Sequence, residues 1–68
     1  MTFKDIERLI HGESLPLAGK NENGETVIIE SGADEAGRFF RLTTSQQNGW
    51  LRINDYYADG STYETYKR

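Results

Sequence analysis

The stretch of residues 38–66, RFFRLTTSQQNGWLRINDYYADGSTYETY, decides the fold. It holds seven of the eight aromatic residues of the chain, and the dipeptides Asn48-Gly49 and Asp59-Gly60 interrupt it. Such dipeptides favour the turns of β-hairpins, because asparagine, aspartate and glycine tolerate a positive φ. The stretch therefore predicts three antiparallel strands joined by two hairpins.

The apolar pattern around Asn48-Gly49 favours one register for the first of these hairpins. A two-residue turn pairs Phe40 with Tyr57 and Thr44 with Ile53. The residues that this register assigns to the core are Phe40, Leu42, Leu51, Ile53 and Tyr57. The opposite face receives Phe39, Arg41, Thr43, Trp50, Arg52, Asn54 and Tyr56. A slip of one residue would mix the two sets, so the pattern indicates this register.

The last hairpin allows two registers. A two-residue turn sets Asp55 opposite Glu64, and like charges directly opposite each other are unfavourable. A three-residue loop avoids that contact. We favour the three-residue loop, which adds Tyr66 to the face of Trp50 and Tyr63 to the core face.

The beginning of the chain predicts a short helix over residues 2–11. Its apolar positions recur at helical spacing, and they are Phe3, Ile6, Leu9 and Ile10. Thr2 is followed three residues later by Asp5, which is a form of the capping box that begins a helix. A helix this short is marginal alone and must pack on an apolar surface.

Strands are predicted over residues 14–20, 25–31, 38–46, 50–57 and 61–67, with a polar loop over residues 31–37. Pro16 marks the first of them as an edge strand or an extended arm, because proline cannot donate a ladder hydrogen bond. A three-residue loop ending at Gly24 sets Leu17 opposite Ile29. The fold class is therefore α+β: residues 1–68 form a single small domain, with one short N-terminal helix packed on a four- to five-stranded antiparallel meander that could curl toward an open barrel.

Charge, cysteine content and hydropathy exclude several classes of protein. The net charge is −3, with eight acidic and three basic residues in residues 1–37 and three acidic and five basic residues in residues 38–68. There is no cysteine, which excludes a disulfide framework and a thiolate metal site. No run approaches the ~20 apolar residues of a transmembrane helix, and the N-terminus has charges where a signal peptide is apolar. We expect a cytoplasmic protein that does not bind a membrane.

The predicted sheet has one face that no second helix covers, and this face is the candidate site. Aromatic residues and arginine are enriched where proteins bind each other. The predicted partner-binding residues are Phe39, Arg41, Trp50, Arg52, Tyr56 and Tyr66. The sequence thus predicts a non-enzymatic accessory or inhibitor protein that binds a larger protein or a second copy through this face or through an edge strand. A purely structural role for the same residues is the competing interpretation, since cross-strand aromatic pairs also support small sheets.

Two other classes of function remain open in the sequence. The same aromatic and arginine residues could stack bases and contact phosphates of single-stranded nucleic acid. The acidic first half belongs instead to the protein-binding class, where an inhibitor could use it to imitate a phosphate backbone. An enzyme is not expected, because His11 is the only histidine and no catalytic motif is present. Asp55 and Glu64 are more simply explained as a solvated pair than as an acid–base pair. No cofactor and no metal ion are expected.

Overall fold

The computed structural model describes all 68 residues and contains one helix and five strands. Helix α1 spans Phe3–Ile10, and the strands are β1 (Leu17–Lys20), β2 (Thr26–Asp34), β3 (Gly37–Ser45), β4 (Leu51–Tyr57) and β5 (Thr62–Lys67). The strands form one antiparallel sheet in the order β1-β2-β3-β4-β5. The α+β class with a five-stranded meander is confirmed, and the sheet is not closed into a barrel.

Helix α1 begins at the predicted capping box. The Thr2 hydroxyl accepts a hydrogen bond from the Asp5 N–H at 3.2 Å, and the Asp5 carboxylate accepts one from the Thr2 N–H at 2.9 Å. These bonds satisfy donors that a helix start leaves free. They also hold the pKa of Asp5 below its ordinary value, with the Thr2 contact as the main cause. The helix is too short to cross a membrane.

The core lies between α1 and one side of the sheet. Phe3, Ile6 and Ile10 of the helix pack on Ile29 and Phe40. Leu9, which the sequence places on the same stripe, is 64% exposed instead. Only seven residues of the chain are buried, so each side chain in this small core matters for stability.

The predicted loop over residues 31–37 is wrong, because most of it is strand. Strand β2 continues to Asp34, which pairs with Gly37 at the start of β3. Only Glu35 and Ala36 connect the two strands. The polar composition of this segment reflects exposure at the end of a hairpin, and not the absence of regular structure.

The other three hairpins share one loop form. In each of them the N–H of the residue before the loop donates to the carbonyl of the residue after it. The donor–acceptor pairs are Asn21 and Glu25, Gln46 and Trp50, and Tyr57 and Ser61. Each loop has three residues, and the third is a glycine with positive φ: Gly24 at 77°, Gly49 at 88° and Gly60 at 94°. This is the three-residue hairpin in which a glycine closes a bulge.

The first and last loops match the prediction, and the middle one does not. Leu17 lies opposite Ile29 and Arg52 lies opposite Tyr66, as predicted. Between β3 and β4, however, the third loop residue shifts the register by one position. Phe40 lies opposite Tyr56, and Thr44 lies opposite Arg52. Strand β4 is therefore turned over relative to the prediction.

Candidate functional site

The sheet has two unequal faces. The helix face carries α1, which packs against Ile29 and Phe40. The open face is the opposite side of the sheet, and no helix lies over it. Its main side chains, on the central strands and their neighbours, are those of Ile28, Phe39, Arg41, Thr43, Leu51, Ile53, Asp55, Tyr57 and Tyr63.

An aromatic row crosses one end of the open face. The rings of Phe39 and Tyr57, on neighbouring strands, have centroids 5.0 Å apart. Tyr63 meets Tyr57 edge-on at 5.5 Å. Gly32 lies opposite Phe39 on β2, and the absence of a side chain there leaves room for the Phe39 ring. The row is packed tightly enough that Tyr57 is 8% exposed although no helix covers it.

Tyr57 is also held at its hydroxyl. Its O–H donates to Asp34 Oδ2 at 2.6 Å. This contact with a carboxylate raises the pKa of Tyr57 to about 12, because ionising the phenol would break the bond and place two negative charges together. The bond joins β4 to the end of β2 and fixes the orientation of the Tyr57 ring.

We expect Tyr57 to ionise well above the ordinary tyrosine pKa. Since its folded-state pKa is raised, its stabilising contribution is complete below pH 10 and is lost as the pH rises toward about 12. When tyrosinate absorbance is measured against pH, Asp34→Asn should move the ionisation of Tyr57 to lower pH. Glu35→Gln, a neighbouring change that leaves the bond intact, should not move it. Tyr57→Phe identifies that ionisation, because the pKa of Tyr66 is also raised, by Glu64. An unchanged titration of Asp34→Asn would contradict the assignment.

An ion pair lies beside the aromatic row. The Arg41 guanidinium donates to Asp55 through Nε at 2.8 Å and through a terminal nitrogen at 3.0 Å. This two-point bond raises the pKa of Arg41 above its ordinary value. The same guanidinium lies 5.4 Å from the centre of the Phe39 ring. The open face therefore combines aromatic area with a charge that is already neutralised.

The six predicted site residues do not share one face. Phe39 and Arg41 lie on the open face, as predicted. The shifted register moves Arg52, Tyr56 and Tyr66 to the helix face. Trp50, which pairs with Gln46 just before β4, follows them by the alternation of side chains along the strand. Tyr56 packs against the core cluster, so its main contacts are structural.

A second group of aromatic and basic side chains lies on the part of the helix face that α1 leaves uncovered. This Trp50 cluster consists of Trp50, Arg52, Tyr66 and Arg68. The Arg68 guanidinium lies 5.5 Å from the centre of the Trp50 ring, and Arg52 lies opposite Tyr66. Neither arginine has a carboxylate within ion-pair distance.

Sequence reasoning assigned three open-face residues to the core: Leu51, Ile53 and Tyr57. It also assigned Tyr63 there, and the structure places Tyr63 on the open face with 59% of its surface exposed. The signal that identifies them is the loop. The Asn48-Gly49 turn has the same asparagine-glycine order as the Asn23-Gly24 turn, for which a three-residue loop was already predicted.

An apolar groove of about 370 Å³ runs between α1 and β1, lined mainly by Leu9, Leu17, Val27 and Leu42. Its lining contains no carboxylate and no imidazole, so it offers no paired groups for general acid–base catalysis. No three histidine, aspartate or glutamate residues lie close enough to hold a metal ion together.

Comparison with known proteins adds no functional assignment to this geometry. No protein-family model matches the chain, and no curated protein or solved structure matches it.

Proposed function

We propose that the chain is a non-enzymatic protein-interaction module that binds a protein partner through its open face. The observation that carries the proposal is the packed aromatic row on a sheet face that no helix covers. The proposal keeps the role of a cytoplasmic accessory or inhibitor protein that the sequence suggests. It changes the binding residues, because Tyr57 and Tyr63 replace Trp50, Arg52, Tyr56 and Tyr66.

The chain is small enough for one partner to cover much of one side. Its backbone extends 31 Å by 23 Å in its two longest directions, and a standard interface buries ~800 Å² of accessible surface on each partner.

Rigid aromatic anchors favour binding. Phe39 and Tyr57 are fixed by ring contacts and by the Asp34 bond, so little side-chain entropy is left to lose when a partner binds. Tyr63 is 59% exposed and Ile28 is 37% exposed. Apolar surface of this kind, set around ordered rings, is typical of the centre of an interface.

The charges on the open face favour a protein over nucleic acid. Lys20, Arg41 and Lys67 on this face are matched in number by Glu30, Asp34 and Asp55. Arg41 already donates to Asp55, so two of its donors are not free for a phosphate. A neutral face with one satisfied ion pair can be covered without leaving an unpaired charge at that position.

The test compares two tyrosines on the same strand. Tyr63 and Tyr66 are both about half exposed but lie on opposite faces. We expect Tyr63→Ala to weaken partner binding at least tenfold, in line with hot-spot tyrosines, and Tyr66→Ala to change it little. Wild-type and variant chains are immobilised, exposed to an extract of the source organism, and compared by quantitative mass spectrometry. The dissociation constant is then measured with the purified partner.

The two variants distinguish the faces. Loss of the partner with Tyr63→Ala alone supports the open face. Loss with Tyr66→Ala alone would move the site to the Trp50 cluster. Equal retention by both folded variants would contradict binding through either aromatic surface. Circular dichroism checks that each variant remains folded.

Binding of single-stranded nucleic acid is the second candidate function, and the Trp50 cluster favours it. Its two arginines have no ion-pair partner, and its aromatic rings could stack bases. Nearby Glu64 opposes this, because a carboxylate repels phosphate. A labelled oligonucleotide titrated at low salt tests the candidate, since phosphate contacts are strongest there. Absence of binding at low salt excludes it.

A further inference from the structure

The two edges of the sheet differ in their capacity to pair with another strand. Strand β1 has four residues and follows Pro16, which has no N–H to donate. Strand β5 has six residues, all exposed and none of them proline. Its outer edge therefore presents the longer row of free backbone groups, and a free edge of this kind is a template for strand addition.

The ladder between β4 and β5 shows which backbone groups face outward. The Tyr57 N–H donates to the Ser61 carbonyl. Because backbone direction alternates along a strand, Tyr63 and Thr65 also bond toward β4. The backbone groups of Thr62, Glu64 and Tyr66 then point away from the sheet. A strand that pairs with β5 must place its own N–H and carbonyl groups opposite the carbonyl and N–H groups of these three residues.

A second copy of β5 can match them in antiparallel orientation around a two-fold axis. With Glu64 on the axis, two carboxylates would face each other, which is unfavourable. With Tyr66 on the axis, the first residues of the strand would stay unpaired. With Thr65 on the axis, Glu64 of each copy lies opposite Tyr66 of the other copy, and nearly the whole strand is paired.

The contacts in the Thr65 register are complementary. The Glu64 carboxylate already accepts from Asn54 at 2.8 Å and from the Tyr66 hydroxyl of its own chain at 2.9 Å. In the Thr65 register each Tyr66 hydroxyl can exchange its own Glu64 for Glu64 of the second copy as acceptor, so the number of hydrogen bonds is kept. On the other face, Tyr63 lies opposite Lys67 of the second copy, which allows a cation–π contact. The two Thr65 side chains meet each other, a favourable cross-strand pair.

We propose that the chain forms a homodimer in which β5 pairs with β5 of a second copy, with Thr65 on the two-fold axis. The dimer has a continuous ten-stranded sheet, with the two open faces on the same side. This interaction surface is the edge of the sheet and does not depend on the function proposed for the open face.

Engineered cysteines test both the pairing and its register, since the chain has no cysteine of its own. In the Thr65 register the two Thr65 residues form a non-hydrogen-bonded pair, with Cα atoms about 4.5 Å apart, a separation that permits a disulfide. The two Thr62 residues lie six residue steps apart, or about 20 Å. Under mild oxidation, Thr65→Cys should run at twice the 7.8 kDa chain mass, and Thr62→Cys should remain a monomer on the gel.

A second pair of variants tests the unmodified dimer. Thr65→Lys places two positive charges together on the axis and should shift the chain from dimer to monomer in light scattering, whereas Thr62→Lys should leave the dimer intact. Equal cross-linking of the two cysteine variants, or a wild-type chain that sediments as a monomer at millimolar concentration, overturns the proposal. So does pairing of β5 with a foreign strand, which would leave both cysteine variants uncross-linked. None of these results decides whether a protein partner binds the open face. Because Tyr63 and Tyr66 also face the second copy in the Thr65 register, the oligomeric state of Tyr63→Ala and Tyr66→Ala is measured alongside their partner binding.

Discussion

Replacing Ile6 with alanine is expected to remove most of the free energy of unfolding of the chain. Ile6 is the one side chain with no exposed surface, and it lies at the centre of the helix–sheet contact. Truncating a fully buried isoleucine costs about 2–5 kcal/mol, because the transfer free energy is lost and a cavity remains. A core of this size supplies only about 3–5 kcal/mol in total. Urea denaturation followed by circular dichroism measures the loss.

Leu9→Ala is the matched control for Ile6→Ala. Both residues belong to α1, but Leu9 is 64% exposed, and alanine has the highest helix propensity. We expect the free energy of unfolding to change by less than about 0.5 kcal/mol, as for other surface positions. If Leu9→Ala were as damaging as Ile6→Ala, the helix would pack through a different stripe from the one described.

Gly32→Ala is expected to destabilise the chain by about 1–3 kcal/mol, the usual cost of overpacking. A Cβ atom added at Gly32 would lie 2.6 Å from Phe39 Cζ, so the ring must move. Moving it also disturbs its contact with Tyr57 at 5.0 Å. The variant should therefore lose stability and alter the open face. Urea denaturation measures the first effect, and the ring-proton chemical shifts of Phe39 and Tyr57 measure the second.

Gly19→Ala controls for the general effect of replacing a strand glycine. Gly19 lies in β1, and an added Cβ there meets no atom within 4 Å. Neither Gly19 nor Gly32 has a positive φ, so backbone strain does not separate them. We expect Gly19→Ala to be neutral or to stabilise by up to about 1 kcal/mol through the unfolded chain. Equal effects at the two positions would contradict the placement of the Phe39 ring over Gly32.

The sequence predicted the elements and their order well, because the local signals agree. The capping box at Thr2 and the apolar stripe of α1 define the helix. Charge repulsion between Asp55 and Glu64 correctly selected the register of the last hairpin. Both predictions used only residues that are near each other in the sequence, and they needed no knowledge of how distant parts of the chain pack together.

The register of the middle hairpin could not be obtained from the apolar pattern. Strand β4 is partly buried along nearly its whole length, so both of its faces carry apolar side chains and alternation gives no clear choice. Leu51 and Ile53 look like core residues but lie on the open face. The loop decides the register, through Gly49 at φ 88°.

The wrong register of the middle hairpin also made the predicted binding site partly wrong, because the register decides which face of the sheet each β4 side chain occupies. Phe39 and Arg41 belong to β3 and were placed correctly. Arg52 changed face with its strand β4, and so did Trp50, which precedes that strand and pairs with Gln46. An open face rich in aromatic residues was predictable from the single helix and the composition of residues 38–66. Which aromatic residues it carries required the structure.

Proton–proton contacts across β3 and β4 test the open face most directly. Residue pairs without mutual hydrogen bonds bring their Cα atoms closest in an antiparallel ladder, and their Hα protons give strong nuclear Overhauser effects. With Gln46 bonded to Trp50, we predict strong Hα–Hα effects between Arg41 and Asp55 and between Thr43 and Ile53. Strong effects from Asp55 to residue 42 and from Ile53 to residue 44 instead would show the two-residue turn, and would contradict an open face built on Phe39, Tyr57 and Tyr63.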